Sequence, residues 1–189
     1  GYTAEEGATA DHLRLEIRPV PLNRGEGHFV RDIKEFYALE KAKGDAGFFA
    51  HRELFMLRNL SRGKGVGFFE AGNFHPDFIL WLIDANGRQH VRFVDPKAIT
   101  QMGFEDPKID FYKNVKEIEA RLADPDLTLD SYILSDTSSA DMTLHWNIDK
   151  AKMLAHHVVF LYEDKEHYLE TILADNAENH SQQKIKDPT

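Results

Sequence analysis

The feature that most constrains the fold is the run Phe78-Ile79-Leu80-Trp81-Leu82-Ile83, in which every side chain is apolar. A run of this length suits a β-strand and is short for a helix. Successive side chains of a strand point to opposite faces of the sheet, so this strand needs apolar cover on both faces. The run therefore predicts a central strand in a layered domain.

The rest of the chain alternates strand-like and helix-like patterns. Apolar and charged residues alternate over residues 13–20, which indicates a half-buried strand, and apolar residues recur at helical spacing over 26–43. The same reasoning predicts strands at 66–69, 78–83, 90–94, 127–134 and 158–162, and helices at 46–60, 109–122, 148–155 and 166–173. This order predicts an α/β fold with a mixed central sheet flanked by helices.

Composition sets the domain organisation and excludes several kinds of site. A length of 189 residues suits one domain. We predict a lead-in over residues 1–21, the main domain over 22–175, and a disordered polar tail over 176–189.

The absence of cysteine excludes disulfides, thiolate metal sites and a cysteine nucleophile. With no apolar run near the ~18 residues of a membrane span and no secretory signal, a cytoplasmic protein with no membrane partner is expected.

The charge distribution bears on nucleic-acid binding. The formal net charge is −9, from 23 basic and 32 acidic residues, which argues against binding a polyanion through the overall field. Basic residues nevertheless gather within residues 51–64, and we expect Arg58, Arg62 and Lys64 to contact nucleic acid. The chain also begins with Gly rather than Met, which suggests a fragment of a longer protein.

Acidic residues stand at the ends of two consecutive predicted strands. Asp77 precedes the apolar run, and Asp95, Pro96 and Lys97 end the strand after it. Carboxylate oxygens are ligands that Mg²⁺ prefers, and a nearby cation can stabilise the charge that develops during phosphodiester cleavage. Residues two apart on a strand share a face, so Asp95 and Lys97 should point the same way. The Pro96 carbonyl is a further candidate metal ligand, because proline tends to end the strand ladder.

Whether Asp77 meets Asp95 depends on the turn at residues 84–88. A two-residue Asn-Gly turn would set Asp77 opposite Pro96, on the wrong face. A three-residue loop with Gly87 in the left-handed conformation sets Asp77 directly opposite Asp95. We predict the second register. It brings the two β-carbons to about 5 Å, where the carboxylates repel each other unless a cation lies between them.

A third acid would complete such a site. Glu26 extends the apolar face of the first predicted helix by one turn, and a carboxylate on an inward face is unfavourable without a partner. The same position also suits an acid that interacts with the helix dipole. Glu70 is the alternative third acid. The candidate catalytic residues are therefore Glu26, Asp77, Asp95 and Lys97.

These residues resemble a known signature. Pro76-Asp77 followed by Asp95-Pro96-Lys97 resembles the motif of PD-(D/E)xK nucleases. More narrowly, several blocks are similar to the C-terminal endonuclease region of type III restriction enzymes and their DEAD/DEAH-box helicase relatives, over residues 22–173. The blocks are Leu22-Asn23-Arg24-Gly25-Glu26, Leu57-Arg58-Asn59, Gly65-Val66-Gly67-Phe68-Phe69, Phe93-Val94-Asp95-Pro96-Lys97 and Ser131-Tyr132-Ile133-Leu134-Ser135.

The resemblance implies a restriction-endonuclease-like fold and an Mg²⁺-dependent endodeoxyribonuclease, with Mn²⁺ as an alternative ion. By motif position, Asp77 and Asp95 would be metal ligands, Lys97 the catalytic lysine and Glu26 the helix acid. The implied partners are DNA, a helicase or translocase motor on the parent chain, and a DNA-modification subunit. This sequence lacks the Gly-x-x-x-x-Gly-Lys-Ser/Thr loop of such a motor. A non-catalytic nuclease-fold module that positions DNA or contacts a subunit is the open alternative.

Overall fold

The computed structural model describes residues 21–59, 66–68, 74–165 and 167–174. Within these residues the chain folds into a five-stranded sheet of order β1-β2-β3-β4-β5, in which β1 to β3 are antiparallel and β3 to β5 are parallel. The predicted α/β class with a mixed sheet flanked by helices is confirmed, and it is consistent with a restriction-endonuclease-like fold. The elements in chain order are α1 (Arg24–Ala42), β1 (Glu53–Arg58), β2 (Phe78–Ile83), β3 (Gln89–Lys97), α2 (Phe111–Leu122), β4 (Leu127–Ser135), α3 (Ser139–Trp146), α4 (Lys150–Ala155), β5 (Val158–Phe160) and α5 (Tyr168–Leu173).

Apolar side chains pack on both faces of the inner strands. On one face, Phe29 of α1 and Ile172 of α5 pack against Leu80, Val94 and Leu134. The opposite face is covered by two smaller clusters, one formed with α2 and one with α3 and α4. Among the described helices, none has both the length and the apolar character needed to cross a bilayer.

The first turn of α1 lies over the end of β3. The Asn23 side chain caps this helix by accepting a hydrogen bond from the Glu26 N–H at 2.8 Å. A β-carbon added to Gly25 would lie 3.6 Å from Cβ of Pro96, so the helix start and the strand end are in direct contact. The helix stops before Gly44, whose φ of 58° suits glycine, as the sequence predicts.

The hairpin between β2 and β3 has the predicted register. Asp84 and Arg88 face each other across the loop, where the Asp84 N–H donates to the Arg88 carbonyl at 3.0 Å. Gly87 has a φ of 80°. The ladder then runs to the pair Phe78 and Val94. One step further along this register, Asp77 stands opposite Asp95.

The last described helix is joined to the first by a buried hydrogen bond. The Tyr168 hydroxyl donates to Oδ2 of Asp32 at 2.8 Å. From β3, the fully buried Arg92 donates to the carbonyls of Ile172 and Ala174, each at 3.1 Å. These polar contacts hold α5 against both α1 and the sheet.

Several predicted elements are corrected by the structure. The helix predicted over residues 46–60 does not form in the described part, 46–59, because Glu53–Arg58 pairs with β2 as the strand β1. The apolar run is the second strand rather than the central one, and Trp81 is 45% exposed on it. The helix α3 was not predicted. The strand predicted at 66–69 is reduced, in its described part, to a single bridge between Phe68 and Phe74.

Other predictions lie outside the described residues. They are the strand at 13–20, the tail at 176–189, and the site residues Arg62, Lys64 and Glu70.

Candidate active site

A cleft of about 440 Å³ opens where α1 begins, β2 begins and β3 ends. Four of the residues singled out from the sequence line it, and Asp95 lies buried directly behind them. The cleft is formed at the ends of one helix and two strands. Its side chains therefore come from positions where the regular backbone hydrogen bonding of these elements stops. The lining residues are Asn23, Arg24, Gly25, Glu26, Asp77, Pro96, Lys97, Ala98 and Asp136.

Asp77 and Asp95 meet across the two strands, as the register requires. Their carboxyl groups are close enough to share a hydrogen bond. Burial raises the pKa of Asp77 to about 7, together with that hydrogen bond and the charges of Asp95 and Glu26, while the Lys97 charge opposes the rise. Close acidic neighbours disfavour a second negative charge, so Asp77 is partly protonated near neutral pH.

Lys97 lies on the same side of β3 as Asp95. Its Nζ is 2.8 Å from Oδ2 of Asp95, and the side chain is 35% exposed while that of Asp95 is 3% exposed. Lys97 therefore joins the buried carboxylate to the open cleft. A cation in this position can reach both the acid pair and a bound anion.

Glu26 contributes the third acid near the pair. Its Oε2 accepts from Nη2 of Arg58 and its Oε1 from Nδ2 of Asn23, both at 2.7 Å. Glu26 is buried and its charge acts on Asp77. The same residue occupies the first turn of α1, so it both belongs to the cleft and complements the helix dipole.

Arg58 is bonded to an acid of the cleft. It ends β1, its side chain is 31% exposed, and its guanidinium is committed to Glu26 and, at 3.5 Å, to the Pro21 carbonyl. Its place beside the acids follows from the pairing of β1 with β2, which the sequence analysis did not predict.

Asn59 is a positioning residue that sequence reasoning missed. Its backbone N–H donates to the Asp77 carbonyl at 2.8 Å, and its side-chain amide donates to the Pro76 carbonyl at 2.8 Å. The same side chain also bonds both backbone groups of Val66. Asn59 thus fixes the segment that carries Asp77. A polar residue directly after a strand was the available signal.

The donor set at the acid pair suits a hard divalent cation in part. The carboxylates of Asp77 and Asp95 and the Pro96 carbonyl are oxygen donors of the kind that Mg²⁺ takes. Burial raises the pKa of Asp77 and the neighbouring acids raise it further, and a cation would relieve that second contribution. Throughout the described ranges, however, no group of three or more His, Asp or Glu side chains is arranged to hold a metal ion.

Comparison with known proteins adds no relative. Neither protein-family models, nor curated proteins, nor solved structures gave a match to this chain.

Proposed function

We propose that the chain is a metal-dependent nuclease domain that hydrolyses phosphodiester bonds in DNA. The observation that carries the proposal is the pairing of Asp77 with Asp95 at the end of a hairpin, with Lys97 bonded to Asp95 at an open cleft. The resemblance to PD-(D/E)xK nucleases supports the same function. On that resemblance alone, we also propose a helicase or translocase motor and a DNA-modification subunit as partners. The cytoplasmic location expected from the sequence is proposed as well.

Asp77, Asp95 and the Pro96 carbonyl would hold the divalent cation. When bound, Mg²⁺ or Mn²⁺ supplies Lewis-acid polarisation of the scissile phosphate. Lys97 donates to the phosphate oxygens and stabilises the negative charge that grows during attack. Its ammonium group has three N–H donors and its side chain is partly exposed, so it can donate to the substrate while it stays bonded to Asp95.

Neighbouring residues hold Asp77 and Glu26 in position at the proposed metal site. Asn59 fixes the backbone at Asp77, and Arg58 with Asn23 fixes the Glu26 carboxylate. The first turn of α1 also brings the positive end of a helix dipole to the cleft, where it favours a bound phosphate.

A second candidate function is a non-catalytic module that binds DNA or a subunit. The observation that favours it is the ion pairing of Asp95 with Lys97 and of Glu26 with Arg58. These pairs compensate both acids with protein cations, as a site without a metal requires.

The deciding experiment measures cleavage of supercoiled plasmid and of single-stranded DNA with Mg²⁺ and with Mn²⁺. We expect the unchanged chain to cut, and Lys97→Ala to lose about 100-fold or more of the rate, because charge stabilisation in the transition state is lost. The matched control is Lys113→Ala, which removes an exposed lysine paired with Asp110 at 2.8 Å on α2.

Thermal unfolding and Mn²⁺ calorimetry accompany the assay. Asp95→Ala should abolish metal-dependent cleavage and leave the thermal stability equal or higher, because the repulsion within the acid pair is removed. Cleavage that survives Lys97→Ala contradicts the catalytic role assigned to Lys97. The absence of any cleavage and of metal binding in the unchanged chain contradicts the nuclease proposal and favours the binding module.

A further inference from the structure

Beside the cleft, Arg24 and His28 both lie against Tyr162, and the three residues form what is here called the Tyr162 surface. Arg24 lines the cleft together with Asp77 and Lys97. Its guanidinium carbon lies 5.8 Å from the centre of the Tyr162 ring. His28, one turn further along α1, meets the same ring edge to face at 5.1 Å. Arg24 therefore lines the cleft and also lies beside the exposed ring of Tyr162.

Tyr162 is exposed but held in place. The side chain is 43% exposed, while its neighbour Leu161 is 1% exposed and belongs to the main core. The N–H of Asp164 donates to the Phe160 carbonyl at 3.0 Å, which fixes the turn that carries the ring. An aromatic ring anchored in this way loses little conformational freedom when a ligand stacks on it.

The acids beside Tyr162 are compensated by other elements. Nζ of Lys150 lies 3.2 Å from Glu163 and 2.6 Å from Asp164. The Ser139 hydroxyl also donates to Glu163, at 2.7 Å. Their repulsion of a polyanion is therefore reduced at the point where Arg24 and His28 approach the ring.

An aromatic ring beside the Arg24 guanidinium, next to the proposed phosphodiester site, matches the chemistry of an unpaired nucleotide. A free base stacks on the ring and the adjoining phosphate interacts with the guanidinium. In a duplex both faces of each base are covered by its neighbours, so an internal base pair cannot stack there. The combination discriminates between paired and unpaired strands without reading sequence.

We infer that the Tyr162 surface binds an unpaired nucleotide next to the scissile phosphate, so that single-stranded DNA is the preferred substrate class. The inference rests on the nuclease function proposed above, because the cleft supplies the phosphate end of the ligand. It assigns to Tyr162 the stacking and to Arg24 the adjoining phosphate.

The test measures fluorescence anisotropy of a labelled oligothymidylate of about 12 nucleotides, and of a duplex of equal length, at low salt and with a chelator present. Tyr162→Leu keeps apolar volume and removes the π-face, so single-strand affinity should fall about tenfold. Tyr162→Phe retains the ring and should bind within about twofold of the unchanged chain. The matched control is Tyr37→Leu, at a tyrosine 39% exposed with Lys41 Nζ 5.7 Å from its ring centre.

The outcomes separate this inference from the nuclease proposal. Unchanged binding in Tyr162→Leu, equal loss in Tyr37→Leu, a preference for the duplex, or no binding by the unchanged chain each overturns the inference. Metal-dependent cleavage that depends on Lys97 can still be observed in any of these cases. Conversely, a tenfold loss confined to Tyr162→Leu supports the stacking site even where the chain does not cut.

Discussion

Ionisation of Asp77 is unfavourable in the folded chain. Burial, the bond to Asp95 and the charges of Asp95 and Glu26 raise its pKa to about 7, well above the ordinary value of 3.8. Because the pKa is raised, the folded state keeps a proton on Asp77 between about pH 4 and about pH 7, where the unfolded state has already released it. Stability therefore falls as the pH rises from about 4 to about 7, and it is lowest where Asp77 is charged in both states.

Asp77→Asn should remove this pH-dependent loss of folding stability. At about pH 8 we expect the variant to be more stable than the unchanged chain by about 1–2 kcal/mol, after allowance for solvent screening, and at about pH 4 the difference should nearly vanish. Urea unfolding at both pH values measures it. Asp126→Asn, at a side chain 70% exposed, is the control. A gain of the same size at both pH values would contradict the assigned cause.

The acid pair was predictable because one turn determines it. Gly87 in the left-handed conformation selects the three-residue loop, and the register then follows residue by residue to Asp77 and Asp95. Arg58 and Asn59 were not predictable in the same way. Their contacts depend on β1 lying beside β2, a long-range pairing that leaves no local pattern in the sequence.

At the scale of elements, β1 shows that local helix propensity does not predict the structure of every segment. Its residues Glu53–Arg58 include leucine, methionine, glutamate and arginine, which favour helices, yet pairing with β2 makes the segment a strand. The helix α3 was missed for a different reason. Only Met142 and Trp146 are buried along it, too few for a periodic signal, although Ser138 caps it through the Asp141 N–H.

A contact between His157 and Asp130 lies where β5 begins, at the edge of the sheet. Nδ1 of His157 lies 2.9 Å from Oδ1 of the buried Asp130, and its ring stacks on Tyr112 at 4.2 Å and on Tyr132 at 4.9 Å. Burial alone would raise the pKa of Asp130. The hydrogen bond and charge of His157, the charge of Lys116 and the Ser131 N–H together lower it instead.

His157→Phe keeps a stacking ring and removes the partner of Asp130. We expect a loss of about 2 kcal/mol in the free energy of unfolding near pH 7. Because the lowered pKa of Asp130 stabilises the fold above about pH 4 and this contribution fades as the pH falls, the loss should be smaller near pH 3. Chemical unfolding at both pH values measures the loss. A loss that does not change with pH would mean that His157 acts through packing alone.

At the scale of the whole molecule, the hydrogen bond from Tyr168 to Asp32 connects α5 to α1. Both side chains are buried, and burial together with the bond to Asp32 raises the pKa of the Tyr168 hydroxyl, which therefore stays protonated and able to donate. The bond spans 136 residues. It joins elements that share the main core with β2, β3 and β4.

Tyr168→Phe should reduce the free energy of unfolding by about 2 kcal/mol, since the Asp32 carboxylate loses a buried donor. Thermal and urea unfolding measure the change. Tyr37→Phe, at a half-exposed ring of α1, should change stability by less than about 0.5 kcal/mol. An equally small effect of Tyr168→Phe would show that the bond contributes nothing beyond packing.

The same connection has a consequence for biosynthesis. The apolar face of α1 is synthesised before its partners on α5, which follow more than 130 residues later. At ordinary rates of translation the delay is on the order of ten seconds, far longer than a helix needs to form. Throughout that interval Phe29 and Ile33 have no closed core to enter. The nascent chain is therefore a natural client for chaperones until α5 has emerged.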